Sequence, residues 1–132
     1  MGTLRAGFAR VDIMPPLGIY LSGYYEPRRA LGVHDPLYAS AMAVREGDKT
    51  AILMNLDIIG IKQALLDEYR RRVAEAVCIR VPYVFIACTH THTGPVTGGD
   101  LFPADPVYNE RLGYLLAQAA AQAVNDLSPA EF

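Results

Sequence analysis

The side chains with the clearest chemistry are the imidazoles of His90 and His92, set in the stretch Tyr83-Val84-Phe85-Ile86-Ala87-Cys88-Thr89-His90-Thr91-His92-Thr93-Gly94-Pro95. Neutral imidazole is a favoured zinc donor, and two of them at this spacing on one strand can reach the same ion. Strand side chains alternate faces, so the pair is expected to point with Val84, Ile86 and Cys88, while Thr89, Thr91 and Thr93 point the other way. The run before the histidines is β-favouring and mostly apolar, and Gly94-Pro95 stops a regular strand. Both histidines are therefore expected at the exit of a buried strand, where open α/β sheets bind ligands. The plainer alternative is a histidine that only hydrogen-bonds backbone at the strand end.

Asp57 is the second candidate. It closes the apolar segment Thr50 to Ile59, and a carboxylate at the end of a buried strand is costly unless it meets a cation, a metal or hydrogen-bond donors. It either joins the histidines or caps the following helix, and the sequence leaves both open. Between Pro15 and Asp35 lies a segment punctuated by Pro16, Gly18, Gly23, Pro27 and Gly32, with Tyr20, Tyr24 and Tyr25 among them. A connection of about twenty residues is longer than usual and is a feature of functional loops. The tyrosines and Leu21 argue that it packs. Arg28 and Arg29 within it could bind an anion, though the plainer reading is two exposed cations with no special role.

The elements that must position these residues follow from hydrophobic periodicity. Leu4 to Ile13 alternates and runs into Pro15-Pro16, as a first strand does. Ala39 to Arg45 reads as a second strand, Glu46-Gly47-Asp48-Lys49 as a hairpin turn, and Thr50 to Ile59 as a central third strand. From Ile61 to Val77, the residues Leu65, Leu66, Tyr69, Val73, Ala76 and Val77 recur at helical spacing. Strand, helix and strand from Thr50 to Pro95 then form a βαβ unit. Parallel pairing of its two strands brings Asp57 and the histidines to one edge of the sheet. Asp105-Pro106 reads as N-cap and first residue of a second helix reaching Leu127, with Leu112, Leu115, Leu116, Ala119, Ala123 and Val124 on its buried side. The fold class is thus α/β: a mixed central sheet of about four strands with two main helices, in a single domain over residues 1–132.

Composition narrows the function. The chain has 132 residues, 52% of them hydrophobic and 20% charged, with a formal charge of −2. This is a globular composition. No apolar run reaches the ~20 residues of a membrane span. Arg70-Arg71-Arg72 reads as a solvated helix face, so nucleic acid is not an expected partner. Cys78 and Cys88 make neither a disulfide framework nor a Cys-x-x-Cys pair, and Cys88 reads as a small core residue. No signal-peptide pattern opens the chain, so the expectation as written is cytoplasmic.

Taken together, several stretches resemble the N-terminal part of the neutral/alkaline non-lysosomal ceramidase family. They are Ala6-Gly7-Phe8-Ala9-Arg10-Val11-Asp12-Ile13-Met14-Pro15-Pro16, Leu21-Ser22-Gly23-Tyr24, Gly32-Val33-His34-Asp35-Pro36-Leu37-Tyr38-Ala39, Asn55-Leu56-Asp57-Ile58-Ile59-Gly60 and Thr89-His90-Thr91-His92-Thr93-Gly94-Pro95. They occur in the family's order and cover nearly the whole chain. Where the family usually has serine in the last motif, Thr93 keeps the hydroxyl.

The resemblance implies a zinc-dependent hydrolase of N-acyl amides, with a lipid or other small amide as substrate and one zinc ion as cofactor. His90 would be a zinc ligand with His92 beside it, His92 and Asp57 would serve catalysis, and Tyr24 and His34 would line the substrate side. The family's remaining ligands come from later parts of longer chains. The expectation is therefore part of a larger fold, holding zinc weakly alone and exposing a surface or sheet edge through which it self-associates. The competing reading is a non-catalytic α/β binding or assembly module, and a third is a sugar- or lipid-handling protein whose binding wall is the tyrosine-rich loop.

Overall fold

The computed structural model describes residues 3–99 and 101–131. Its elements are β1 (Arg5–Asp12), β2 (Tyr38–Glu46), β3 (Lys49–Leu56), α1 (Gln63–Ala76), β4 (Val84–Cys88), α2 (Pro106–Asn125) and β5 (Ser128–Pro129). They form one mixed sheet in the order β4-β3-β2-β1-β5. β1, β2 and β3 pair antiparallel, with Phe8 opposite Met42 and Met42 opposite Leu53. β3 and β4 pair parallel, Ile52 opposite Val84 and Leu56 opposite Cys88, as the βαβ order requires. The sheet has five strands where about four were expected. The fifth is a two-residue pairing of Ser128 and Pro129 with Ala6 and Arg5, just past the segment read as the second helix.

Both helices lie on one face. α2 crosses β1 and β2 and packs beside α1, which also meets β4. The close approach of α2 follows from small residues: Ala39, Ala41 and Ala43 on β2 and Ala119, Ala120 and Ala123 on α2 are all buried. Gly7 is the tightest point, since a Cβ there would fall on the carbonyl oxygen of Ala123 and within 2.7 Å of Leu127 N. Asp105 caps α2 by accepting from the backbone N–H groups of Val107 and Tyr108 at 2.8 and 3.1 Å. Tyr69 and Tyr108 are buried between the layers, their hydroxyls donating to Asn109 O at 2.9 Å and Ile13 O at 2.7 Å.

The opposite face of the sheet is uncovered and apolar along one row. Phe8, Met42, Leu53 and Phe85 sit side by side on four successive strands, with Phe8 63% and Phe85 64% exposed. β4 is a sheet edge. The exposed apolar surface expected of part of a larger fold is therefore on the sheet, not on a helix.

Three details differ from the sequence reading. On α1 the buried positions are Tyr69, Val73 and Ala74, while Ala76 is exposed. The arginine run is not a plain solvated face: Arg70 donates from Nε to Val84 O at 2.9 Å, and Arg72 pairs with Glu68 and Glu110 at 2.9 and 3.1 Å. Guanidinium stems long enough to cross the helix surface reach carbonyls and carboxylates of neighbouring elements. Finally, Tyr25 is 92% exposed, so only part of the tyrosine-rich loop packs.

Candidate functional site

β4 ends at Cys88, so neither histidine lies on a strand. The expectation of a shared strand face is therefore corrected in its cause. His90 adopts φ = +63°, a left-handed conformation uncommon for a non-glycine residue. Its N–H donates to Ile58 O at 3.1 Å, just after Thr89 N–H donates to Leu56 O at 2.9 Å. The chain thus leaves β4 pinned against the segment leaving β3, and the left-handed residue turns it back. The imidazoles nevertheless meet, with ring centroids 5.1 Å apart and planes at 64°.

His90 is held by its ring as well as its backbone. Its Nδ1 lies 2.8 Å from Ile59 O. A carbonyl only accepts, so Nδ1 carries the proton and the neutral ring presents its lone pair at Nε2, the arrangement typical of histidines that bind metal. Two imidazoles sharing one tetrahedral ion at about 2.0 Å per bond would have centroids about 5.2 Å apart, so the observed spacing fits a common ion. Among the described residues no third His, Cys, Asp or Glu joins them as a metal-binding group. A catalytic zinc site takes three protein ligands, so this pair by itself would supply only part of one.

The long loop returns to this place. Ser22 N–H donates to Gly94 O at 3.0 Å, and Leu21 bridges Pro95. Gly23, at φ = +97°, lies against the ring of His92, and a Cβ there would come within 2.5 Å of His92 Cγ. Tyr24 meets the same ring edge-on at 5.8 Å. Arg28 lies 3.7 Å over the Tyr24 ring and donates to His92 O at 2.6 Å. The sequence reading did not find this role for Arg28, because nothing local marks an arginine as the clasp between distant segments. Its Nε is shut off from solvent with no hydrogen-bond partner among the described residues, a loss of about 1–3 kcal/mol that the other contacts must offset.

Asp57 sits just past β3, and Oδ2 accepts the backbone N–H of Tyr38 at 2.9 Å. It does not cap the following helix, whose N-cap is Lys62 without a side-chain bond. His34 pairs with Asp35 at 2.8 Å on the surface. The two line a groove of about 510 Å³ whose walls include Met14, Leu17, Leu21 and Leu37 on one side and Thr91 and Thr93 on the other. The threonines of the histidine motif thus face this groove, while His90 lines a second cavity of about 450 Å³ with Gly23, Lys62 and Gly98. Cys88 is half-buried, and burial pushes its thiol pKa up, so it stays a neutral core group.

No family model matches this sequence and no curated protein matches it. The fold does have solved counterparts, ceramidase structures among them. It matches neutral ceramidase from Pseudomonas aeruginosa with a TM-score of 0.81 at 21% identity, over 98% of this chain and 22% of that one. A structure of a ceramidase complexed with C2 matches with a TM-score of 0.79 at 22% identity, again over 98% of this chain and 22% of the other. The chain therefore has the mixed α/β fold of a fragment of a neutral ceramidase and spans 22% of the length of those structures. The resemblance carried by the motifs and the one carried by the backbone agree. No helix among the described residues is long and apolar enough to cross a membrane.

Proposed function

We propose that residues 1–132 are the N-terminal part of a ceramidase-like catalytic domain and contribute His90 and His92 to a zinc centre that hydrolyses N-acyl amides. The observation that carries the reading is the imidazole pair: centroids 5.1 Å apart, with Nδ1 of His90 committed to Ile59 O so that Nε2 is left for a metal. Zinc supplies Lewis acidity in such a centre, polarising a carbonyl and bringing the pKa of water to about 7.

This chain's own residues bind and orient. His90 and His92 are the donors, and the left-handed turn at His90 brings them together. His92, in the loop cluster with Gly23 and Tyr24, also serves catalysis in this reading. Tyr24 walls the site beside His92. The groove carrying His34, with apolar walls and hydroxyls near the histidine motif, suits an amide with an apolar chain. Asp57 serves the reaction by position, fixing β2 against the strand exit from which Ile58 and Ile59 hold His90. The remaining zinc donors lie outside this pair, so these residues alone bind the ion weakly and hydrolyse amides poorly.

The same reading makes the Phe8, Met42, Leu53 and Phe85 row a surface that associates with a second copy when nothing else covers it. The test of function is zinc calorimetry on the wild type, His90→Ala and His92→Ala beside an N-acyl amide hydrolysis assay. Loss of zinc binding in both variants supports the reading. A wild type that binds no zinc favours a non-catalytic α/β module instead.

A further inference from the structure

We infer that Arg28 is a positioning residue for His92, setting the imidazole at the angle that lets it share an ion with His90; the inference rests on the metal reading above. The two imidazoles are held differently. The ring of His90 is fixed by a hydrogen bond to Ile59 O at 2.8 Å, whereas among the described residues none fixes the ring of His92. Its orientation falls to packing: besides the ring of His90, the surfaces against it are Gly23 and Tyr24, and Arg28 holds both.

The Nη2 of Arg28 donates to His92 O at 2.6 Å and to Ser22 O at 3.2 Å. It thereby ties the backbone of His92 to the residue just before Gly23, whose α-carbon lies too close to the ring for any side chain. The guanidinium plane also lies 3.7 Å over Tyr24, which meets the ring of His92 at 81°. One side chain thus fixes the backbone under the imidazole and two of the walls beside it. Such a contact needs a planar, forked cation that can stack and donate at once, which lysine cannot do. Supporting residues of this kind typically change metal affinity by about ten- to a hundredfold.

The experiment reads two quantities on Arg28→Ala, Arg28→Lys and the control Arg29→Ala: zinc affinity by calorimetry, and the imidazole resonances of His90 and His92 by NMR in the metal-free protein. Arg29 contacts Gly18 O and the ring of Tyr20, not His92. The expected result is a loss of zinc affinity of about tenfold or more in both Arg28 variants. Resonances of His92 should shift, those of His90 should stay, and Arg29→Ala should match the wild type. Unchanged affinity and unchanged His92 resonances in folded Arg28→Ala would overturn the inference, as would full rescue by lysine. Should the alanine variant not fold, Arg28→Lys decides by the same criteria. Should the wild type bind no zinc, the metal reading fails, while the His92 resonances of the metal-free variants still decide the role of Arg28.

Discussion

The ring of His90 donates to the carbonyl oxygen of Ile59 across 2.8 Å, and so the residue leaving β4 is oriented by the residue leaving β3. Parallel pairing puts those two exits side by side, and the left-handed backbone at His90 folds the imidazole onto its partner. A non-glycine residue at positive φ costs stability, and such conformations concentrate at sites where the geometry is used. His90→Gly should therefore relieve backbone strain while removing the donor. Unfolding midpoints at or above the wild type, together with loss of zinc binding, are the expected outcome.

Asp57 separates structural from catalytic roles. Asp57→Ala leaves the Tyr38 amide without its acceptor, at a cost of about 1–3 kcal/mol in urea unfolding. Asp57→Asn keeps an acceptor oxygen and should cost less, with zinc affinity near that of the wild type. Lost zinc binding in a stable Asp57→Asn protein would make the carboxylate a ligand rather than a latch.

Packing under α2 gives a prediction independent of chemistry. In Gly7→Ala the new methyl meets the backbone of Ala123 and Leu127, which cannot rotate away as a side chain can. Overpacking of this kind typically costs about 1–3 kcal/mol. Thermal unfolding at or above the wild-type midpoint would show that α2 is free to move off the sheet.

Tyr108, together with the likewise buried Tyr69, sets the response to alkaline pH. Burial raises its hydroxyl pKa well above the ordinary 10.0, so above pH 10 the unfolded chain loses a proton that the folded chain keeps. The folded state then binds more protons, and stability falls as pH rises from about 10. Tyr108→Phe loses the bond to Ile13 O, about 1–2 kcal/mol at neutral pH, and flattens this alkaline decline. Urea titrations from pH 8 to 11 check both effects; an equally steep decline in the variant would locate the titration elsewhere.

The uncovered sheet row predicts association. Phe8→Ser with Phe85→Ser should lower self-association in sedimentation velocity without unfolding the chain, since both rings are largely exposed. A wild type that stays monomeric at high concentration would show that the row is tolerated in water.

Long periodic segments made much of this architecture legible. The turn at Gly47, the βαβ unit and the Asp105 cap follow from apolar spacing and turn chemistry. β5 escaped because two residues carry no period. The histidines were legible as a pair, but not how they meet, because alternation describes strands and the strand stops at Cys88. Arg28 and the carbonyl of Ile59 were invisible for another reason. Their roles depend on contacts 64 and 31 residues away in the chain, which no local pattern encodes.

The central claim is that His90 and His92 hold one ion together, and the most direct measurement is zinc calorimetry on the wild type, His90→Ala, His92→Ala and the double variant at matched concentration and pH. One weak site in the wild type is expected, with affinity falling about tenfold or more in each single variant and no further in the double variant once the shared ion is lost. Equal zinc affinity in all four proteins would contradict the account.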